Sequence, residues 1–155
     1  MKLVKNYMKR KVIFFKPDNS IFDVAQTLSK CHISGAPVVD KDKVVGIISE
    51  TNIIEYMRLN ISTARADSAE PHILAMLIAS LAKDRMGIKN ELERLSKIKV
   101  KDLMSRNVIC ICSKENILEA ATVLEKNDVE RLPVVDKGKL VGIITRADLI
   151  RALID

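Results

Sequence analysis

The chain has 155 residues, 48 % of them apolar, which is enough for one compact core. No apolar run approaches the length of about 18 residues that a membrane span requires, and the N-terminus lacks the apolar region of a signal peptide. The net charge of +6 admits an anionic partner, but the absence of tryptophan and an aromatic content of 3 % disfavour nucleic acid. Three cysteines without a CxxC motif disfavour disulfides and zinc, so we expect a cytoplasmic protein without a metal site.

Two stretches of the chain have nearly the same sequence. Residues 36–52 read APVVDKDKVVGIISETN and residues 132–148 read LPVVDKGKLVGIITRAD, so Pro37 matches Pro133 at an offset of 133 − 37 = 96. The offset holds without a gap back to Val4 and forward to Ile54. The chain is therefore predicted to be a tandem repeat whose two copies pack as a pseudo-symmetric pair.

The first copy, residues 1–57, predicts the element order β-α-β-β-α. An apolar run of β-forming residues ends at Pro17, and Ser20 then precedes apolar residues at helical spacing. The predicted elements are a strand over Val12–Phe15, a helix from Ser20 to about Cys31, strands over Ala36–Val39 and Val44–Ser49, and a helix from about Thr51.

Residues 58–99 separate the two copies and are longer than a plain connection. The polar stretch Asn60–Pro71 predicts a loop, apolar residues at helical spacing predict a helix from about Ala69 to Gly87, and Asn90–Lys97 predicts a short charged helix. This helical insert either packs on the repeats or on a second subunit, or it acts as a lid or effector element that responds to ligand. The sequence leaves both alternatives open.

The second copy, residues 100–155, repeats the element order. Its predicted elements are a strand over Val108–Cys112, a helix over Ile117–Lys126 capped by Asn116, a hairpin whose turn contains Gly138 at positive φ, and a helix over Leu149–Leu153. Cys110 and Cys112 would lie on one face of the first strand. Because no further cysteine and no histidine stands nearby, we interpret both as small buried residues rather than metal ligands.

A hydroxyl and a carboxylate, Thr145 and Asp148, stand where the last strand passes into the last helix. Backbone N–H groups and the positive end of the helix dipole point outward at such a junction, which suits a phosphate-bearing ligand. The alternative interpretation is that Asp148 only caps the helix.

Two β-α-β-β-α repeats, each with an [A/L]PVVD run, a strand ending in GII[S/T] and Asp or Asn three residues after that hydroxyl, resemble a tandem CBS domain. This module is named after cystathionine β-synthase and is called a Bateman module when paired. The resemblance covers residues 4–57 and 100–155 and excludes the insert. It implies an α/β (α+β) fold, a homodimer, and two clefts between the repeats that bind AMP, ADP, ATP or S-adenosylmethionine.

By this resemblance one cleft is complete. Asp148 would accept hydrogen bonds from both ribose hydroxyls, and Thr145 would donate to phosphate or ribose. Arg131 would face the phosphates, while Arg146 either adds to that contact or is solvated. The resemblance implies that the adenine slot is formed by Ile13, Ser34, Gly35 and Ala36.

The other cleft departs from the family pattern. Ser49 is in place, but Asn52 replaces the aspartate and brings no charge. Gly35 stands at the position that matches Arg131. The opposing slot would contain Ile109 and Glu130, whose carboxylate repels phosphates. We predict that this cleft is weak or empty for charged nucleotides.

The sequence contains no nucleophile–base pair, metal-ligand set or glycine-rich phosphate loop, so we expect neither an enzyme nor a required cofactor. The leading hypothesis is a stand-alone energy or metabolite sensor whose adenosyl ligand changes the packing of the repeats or of the insert and so alters a partner protein. A dimeric interaction scaffold with unoccupied clefts is the alternative, a nucleic-acid binder is less favoured, and no membrane partner is expected.

Overall fold

The structure, a computed structural model, describes residues 1–64 and 93–155. The mixed α/β (α+β) class predicted from the sequence is confirmed. The named elements, in chain order, are helix α1 (Val4–Tyr7), helix α2 (Ile21–Cys31), strand β1 (Gly35–Asp40), strand β2 (Lys43–Ser49), helix α3 (Glu50–Ala64), helix α4 (Val100–Leu103), strand β3 (Ile111–Cys112), helix α5 (Ile117–Lys126), strand β4 (Arg131–Asp136), strand β5 (Lys139–Thr145) and helix α6 (Arg146–Ile154). Residues 93–97 are also helical.

Five strands form one sheet in the order β1-β2-β5-β4-β3. Strands β4 and β5 form an antiparallel hairpin with Leu132 opposite Ile144, and β3 joins β4 in parallel. Strand β2 meets β5 in antiparallel orientation, with Lys43 opposite Lys139. Because these lysines occupy the same position in the two copies, the two hairpins are related by a local twofold axis.

The hairpin turns depend on residues in the left-handed region. Lys137 and Gly138 have φ values of 51° and 80°, and Lys41 and Asp42 have φ values of 48° and 70°. Two successive residues at positive φ are typical of the type I′ turn, whose twist matches that of the flanking strands. The positive φ predicted for Gly138 is therefore confirmed.

Helix α2 and helix α5 begin at the caps that the sequence predicts. The hydroxyl oxygen Oγ of Ser20 accepts a hydrogen bond from the Asp23 N–H at 3.1 Å, and Oδ1 of Asn116 accepts one from the Glu119 N–H at 2.7 Å. Helix α2 ends at Cys31, where His32 takes a left-handed conformation with φ 52°. Side-chain caps of this kind fix where a helix starts, because they satisfy N–H groups that have no partner within the helix.

The chain divides into two compact units that cross the boundaries of the two sequence copies. Unit 1 comprises Met1–Phe14, Pro37–Ile47 and Arg106–Asp155, and unit 2 comprises Phe15–Ala36 and Ile48–Ser105. The first short helix of each copy therefore lies in the unit that holds the two longer helices of the other copy. Helix α1 packs with the second copy in unit 1, and helix α4 packs with the first copy in unit 2.

Equivalent hydrogen bonds attach the two short helices. In unit 1 the N–H of Val4 donates to the carbonyl of Glu115 at 2.8 Å. In unit 2 the N–H of Val100 donates to the carbonyl of Asn19 at 2.9 Å, and all four residues obey the 96-residue offset. The repeat seen in the sequence thus extends to the hydrogen bonds between elements that are distant in the chain.

Both units bury apolar side chains at equivalent positions. In unit 1 they form one cluster: Val4, Met8, Ile111, Ile117, Ala120, Leu124, Leu132, Val134, Ile144, Leu149 and Ala152. The equivalent buried residues of unit 2 are Phe15, Ile21, Val24, Leu28, Ala36, Ile48, Ile53, Val100 and Met104. Burial of such side chains contributes about 1.5–3 kcal/mol each, which accounts for the apolar character of these positions in both copies.

Gly142 lies where the chain after α1 crosses strand β5. A Cβ atom at this buried position would lie 2.5 Å from Sδ of Met8 and 3.1 Å from the carbonyl oxygen of Lys9. Only glycine permits this approach. The N–H of Lys9 and the carbonyl of Ile143 then bond at 2.9 Å, which joins the N-terminal residues to strand β5 in unit 1.

The first predicted strand of each copy is wrong in extent. Residues 12–14 belong to no strand, and Phe15 forms only an isolated bridge. The predicted strand Val108–Cys112 is reduced to β3, Ile111–Cys112. Phe15 is buried, whereas Ile13 and Phe14 are 37 % and 49 % exposed, so only the last residue of the run is placed as a strand residue would be. A β-forming composition alone does not determine how far a strand extends, because the extent depends on pairing.

The predicted loop Asn60–Pro71 is wrong over residues 60–64, which continue helix α3 to Ala64. The stretch contains neither glycine nor proline before Pro71, so nothing in it stops a helix. The remainder of that loop, the predicted helix from Ala69 to Gly87 and residues 90–92 lie outside the described residues. Residues 93–97 are helical, which agrees with the end of the predicted helix Asn90–Lys97.

Candidate functional site

The junction between strand β5 and helix α6 is a reciprocal cap. Oδ2 of Asp148 accepts hydrogen bonds from the N–H of Thr145 at 3.0 Å and from its hydroxyl at 2.8 Å. In return, Oγ1 of Thr145 lies 3.4 Å from the N–H of Asp148 and accepts from it. This is a capping box, with aspartate in place of the more usual glutamate. One oxygen of Asp148 therefore has the capping role that the sequence left as an alternative.

The other carboxylate oxygen of Asp148 faces an arginine. Nη2 of Arg151 donates to Oδ1 at 3.2 Å, and the same nitrogen donates to the carbonyl of Tyr7 at 3.1 Å. The Asp148 side chain is 3 % exposed, whereas that of Arg151 is 56 % exposed. A buried carboxylate requires such partners, because an unpaired charge loses its hydration without compensation.

The equivalent junction of the first copy has the same geometry without the charge. Oδ1 of Asn52 accepts from the N–H of Ser49 at 2.9 Å and from its hydroxyl at 3.0 Å, and Oγ of Ser49 lies 3.4 Å from the N–H of Asn52. The second group of Asn52 is an amide NH₂, which donates rather than accepts. The residue that matches Arg151 is Glu55, so both charges of the second copy are changed here.

Two arginines predicted for the complete cleft lie in unit 1. Arg131 begins strand β4 with its side chain 17 % exposed, and its Nη2 lies 3.3 Å from Oε2 of Glu130. Arg146, whose side chain is 53 % exposed, donates through Nε to the carbonyl of Val129 at 3.3 Å and lies 3.5 Å from Oδ1 of Asp128. Arg146 therefore contacts the loop before β4 in this structure, and its role toward phosphate stays a prediction.

The residues predicted for the adenine slots lie in both units. Ile13 is in unit 1 and 37 % exposed, and Ile109 packs in part against the core of the same unit. Residues 34–36 are in unit 2, where the carbonyl of Ser34 accepts from the N–H of Glu50 at 2.9 Å. The composite clefts, which would combine residues of both units, stay a prediction.

The two cysteines of the second copy differ in environment. Cys110 is half-buried, and burial raises the pKa of its thiol. Cys112 is exposed, with Sγ 3.5 Å from Oδ1 of Asp136, so its interpretation as a buried residue is wrong. Ile111 is 5 % exposed and packs in the core, and successive side chains of a strand point to opposite faces, so Cys112 lies on the face away from that core. Among the described residues, no group of three or more histidine, cysteine or acidic side chains has the arrangement of a metal site.

The carboxylate of Asp136 is held by a buried hydroxyl. Oγ of Ser113, a residue that is 4 % exposed, donates to Oδ2 of Asp136 at 2.7 Å. This hydrogen bond is the main reason that the pKa of Asp136 lies below its ordinary value. It ties the end of strand β4 to the turn after β3. The matching residues of the first copy are Asp40 and Pro17, and proline offers no hydroxyl there.

Sequence reasoning missed Arg151. The signal that would have found it is its spacing of three residues from Asp148 on one helix, at which oppositely charged side chains meet. A second contact between α6 and the N-terminus was also missed, namely Nζ of Lys2 donating to the carbonyl of Ala152 at 2.6 Å. No periodicity indicates it, because its partners are separated by almost the whole chain.

The helices in the described parts of the chain are not long and apolar enough to cross a bilayer. The family model of the CBS domain matches the chain twice, at residues 4–59 and 100–155. The chain belongs to the CBS domain family, and its two copies are two CBS domains.

The family relatives differ in length. An uncharacterized protein of Methanocaldococcus jannaschii, MJ1426, is 40 % identical over 154 residues, which are 98 % of this chain and 91 % of that protein. Several other relatives are longer, and the chain spans between 21 % and 57 % of their length. They include inosine-5′-monophosphate dehydrogenase of the same archaeon, so this pair of domains also occurs within an enzyme.

Two solved structures of similar fold contain adenosyl ligands. CBSX2 of Arabidopsis thaliana in complex with AMP is 25 % identical with a TM-score of 0.71, covering 99 % of this chain and 97 % of that one. The CBS domain pair of protein MJ0100, in complex with 5′-methylthioadenosine and S-adenosyl-L-methionine, is 25 % identical with a TM-score of 0.69, covering 98 % and 99 %.

Proposed function

We propose that this protein is a regulatory module that binds an adenosyl compound, AMP, ADP, ATP or S-adenosylmethionine, at Asp148 of the second CBS domain. The observation that carries the proposal is the buried carboxylate of Asp148, which Thr145 holds in one orientation. The AMP complex of CBSX2 and the complex of MJ0100 support the ligand class.

The chemistry of the residues fits a ribose better than a neutral, aliphatic ligand. A carboxylate is an acceptor only, and the two adjacent hydroxyls of a ribose are donors that it can bind together. Arg131 supplies a half-buried guanidinium for a phosphate or carboxylate of the ligand. In the proposed cleft, Ile13, Ser34, Gly35 and Ala36 provide the slot for adenine.

The proposed action is regulation rather than catalysis. A ligand that prefers one arrangement of the two CBS domains shifts the population toward that arrangement and changes the behaviour of a partner protein. The proposed site contains a carboxylate, a hydroxyl and arginines whose interactions are those of binding and capping.

Thermal melting and calorimetric titration with AMP, ADP, ATP and S-adenosylmethionine test the proposal. A ligand that binds only the folded state raises the melting temperature. At a ligand concentration one hundred times the dissociation constant, the free energy of unfolding rises by about 2.7 kcal/mol. We expect at least one compound to bind the wild type, to lose affinity for Asp148→Ala and to keep its affinity for the matched control Asn52→Ala. Melting temperatures that stay unchanged with all four compounds would contradict the proposal.

An interaction scaffold is the second candidate, and exposed apolar side chains favour it. On helix α6, Ile150, Leu153 and Ile154 are 60 %, 74 % and 82 % exposed, and Ile54, which matches Ile150, is 45 % exposed on α3. Such a face is typical of a contact with another subunit, here a second copy of this chain. Sedimentation analysis should show a dimer that Leu153→Glu converts to a monomer.

The matched control for the dimer test is Leu118→Glu, because Leu118 is 73 % exposed but belongs to helix α5 rather than to α6. This variant should remain dimeric. A wild type that sediments as a monomer would remove the scaffold candidate and leave the ligand-binding module unaffected.

A further inference from the structure

We propose that Arg151 couples the occupancy of Asp148 to the N-terminal segment, defined as residues 1–9. A ribose bound at Asp148 displaces Arg151 from the carboxylate and, with it, from the carbonyl of Tyr7. The ligand in this inference rests on the proposed function, whereas the coupling between Asp148, Arg151 and the segment is tested without any ligand. All the residues involved lie in unit 1.

One nitrogen atom makes both contacts. Nη2 of Arg151 donates to Oδ1 of Asp148 at 3.2 Å and to the carbonyl of Tyr7 at 3.1 Å, which uses the two N–H bonds of that nitrogen. The Arg151 side chain is more than half exposed, so the position of its guanidinium depends on these contacts rather than on packing. Because the carboxylate is the charged partner, it decides whether Nη2 stays beside Tyr7.

The carboxylate of Asp148 has too few acceptor positions for a diol and Arg151 together. A carboxylate offers about four lone-pair positions. The N–H and the hydroxyl of Thr145 occupy two of them on Oδ2, and Arg151 occupies one on Oδ1. Two ribose hydroxyls need two positions, so one existing donor must leave. Thr145 belongs to the helix cap, whereas Arg151 is exposed and is therefore displaced.

The loss of Arg151 loosens the N-terminal segment without detaching it. Tyr7 is the last residue of α1, and its carbonyl would lose a charged donor. Other contacts remain, because Lys2 still donates to Ala152 at 2.6 Å and the backbones of Lys9 and Ile143 still pair. Val4 also stays in the core. The expected response is faster opening of α1 rather than a change of fold.

The first CBS domain lacks this coupling. Asn52 and Glu55 stand at the positions of Asp148 and Arg151, so neither the charged acceptor nor the guanidinium is present. The response to ligand is therefore expected in unit 1, and Glu55→Gln serves as a matched control.

Hydrogen exchange without ligand tests the coupling itself. The N–H groups of Met8 and Lys9 donate to the carbonyls of Val4 and Ile143, both at 2.9 Å, and report opening of the segment. In Arg151→Met and in Asp148→Asn we expect exchange at both amides to be about two- to fivefold faster, the scale of a half-exposed ion pair. The double variant should be no faster than either single variant.

Unchanged exchange in both single variants, or effects that simply multiply in the double variant, would overturn the coupling. Circular dichroism confirms that each variant is folded. Arg151→Lys provides a second test, because it keeps the charge but replaces the planar fork with a point charge, and it should give exchange between those of wild type and Arg151→Met.

Adenosine and 2′-deoxyadenosine, which carry no phosphate, test the response to a ligand. Adenosine should speed exchange at Met8 and Lys9 of the wild type, and Arg151→Met should bind adenosine about threefold more tightly, since no ion pair has to be broken. 2′-Deoxyadenosine has one hydroxyl fewer, so it can bind Asp148 while Arg151 stays in place. Its affinity should therefore change little in Arg151→Met. Lys2→Met loosens the segment directly and, because coupling is reciprocal, should raise adenosine affinity by no more than Arg151→Met does.

The outcomes separate this inference from the proposed function. If adenosine binds in a manner that depends on Asp148, but neither exchange nor the affinity of Arg151→Met changes as stated, the coupling is wrong and the proposed function stands. If neither adenosine nor any of the four proposed compounds binds, the proposed function is contradicted, and the ligand-free exchange alone decides whether Arg151 couples Asp148 to the segment.

Discussion

The two strand-to-helix junctions, Ser49–Asn52 and Thr145–Asp148, have the same backbone and different chemistry. Their hydrogen bonds measure 2.9, 3.0 and 3.4 Å in the first and 3.0, 2.8 and 3.4 Å in the second. Asn52 makes the cap without a charge, so capping does not explain why a carboxylate is buried at the equivalent position. Burial of a charge is unfavourable unless something else uses it. The comparison therefore assigns the geometry of the junction to the fold, whereas the charge of Asp148, which pairs with Arg151, is the feature that the proposed binding would use.

The largest expected effect comes from making the second junction like the first. Asp148→Asn should keep the cap, as Asn52 does, but lose hydrogen bonds to a charged acceptor, each worth about 1.5–3 kcal/mol. We expect the affinity for AMP to fall at least about tenfold, because 1.4 kcal/mol is a factor of ten in binding. Titration calorimetry measures the affinity and urea unfolding measures the stability. Equal affinity of variant and wild type would contradict the proposed use of this charge in binding.

The reverse exchange should create a second, weaker site. Asn52→Asp supplies the carboxylate, but Gly35 stands where the second copy has Arg131, and Glu55 stands where it has Arg151. We expect the AMP stoichiometry to rise toward two, with the new site about tenfold weaker, which corresponds to about 1.4 kcal/mol. Adding Gly35→Arg should bring the AMP affinity of the new site closer to that of the site at Asp148. A stoichiometry that stays at one would show that the charge alone does not distinguish the two junctions.

Removal of the hydroxyls should affect stability unequally. Ser49→Ala and Thr145→Ala each remove a cap, which costs about 0.5–2 kcal/mol. Thr145→Ala should cost more, because it also removes a hydrogen bond from a carboxylate that is 3 % exposed. Urea unfolding of both variants measures the difference. Adding Asp148→Asn to Thr145→Ala should bring its cost close to that of Ser49→Ala, and an unchanged cost would contradict the role of the buried charge.

The smallest effect concerns an ion pair present in only one unit. Nζ of Lys101 lies 2.9 Å from Oδ1 of Asp18 in unit 2, whereas the equivalent residues, Lys5 and Lys114, are both basic. The hydrogen bond with Lys101 lowers the pKa of Asp18 below 3.8, and that with Asp18 raises the pKa of Lys101 above 10.5. Both groups are exposed, so the stabilisation is small.

The sign of the pH dependence follows from these shifts. The Asp18 contribution is present above pH 3.8 and is lost as the pH falls through the lowered pKa. The Lys101 contribution is present below pH 10.5 and is lost as the pH rises through the raised pKa. Lys101→Met should therefore lower the urea midpoint slightly at neutral pH and leave it unchanged in strong acid. A larger loss in acid than at pH 7 would contradict this interpretation.

The parts of the fold that the sequence predicts are local. The caps at Ser20 and Asn116 and the turn at Gly138 depend on neighbouring residues, and all three are confirmed. The strand Val12–Phe15 is wrong because strand formation needs a partner that the run itself does not reveal. The packing of α1 with the second copy and of α4 with the first copy was not predictable. The residues that contact the two helices are equivalent in both copies, so the sequence does not indicate which copy binds which helix.

The candidate site was predicted to a similar depth. Thr145 and Asp148 were found because a hydroxyl and an acid three residues apart at a helix start have a recognisable role. The pairing of Arg151 with Tyr7 joins positions at opposite ends of the sequence, and no local pattern predicts it. The composite adenine slot with Ser34 to Ala36 stays a prediction, because it depends on residues of both units.

The placement of α1 in unit 1 has a consequence for synthesis of the protein. Val4 and Met8 leave the ribosome long before the buried residues that receive them, such as Leu149 and Ala152. The nascent chain must therefore carry two apolar side chains without their final neighbours until the second copy has emerged. Closure of this core waits for that copy, and a premature stop before residue 106 would leave Val4 and Met8 without the Arg106–Asp155 part of unit 1.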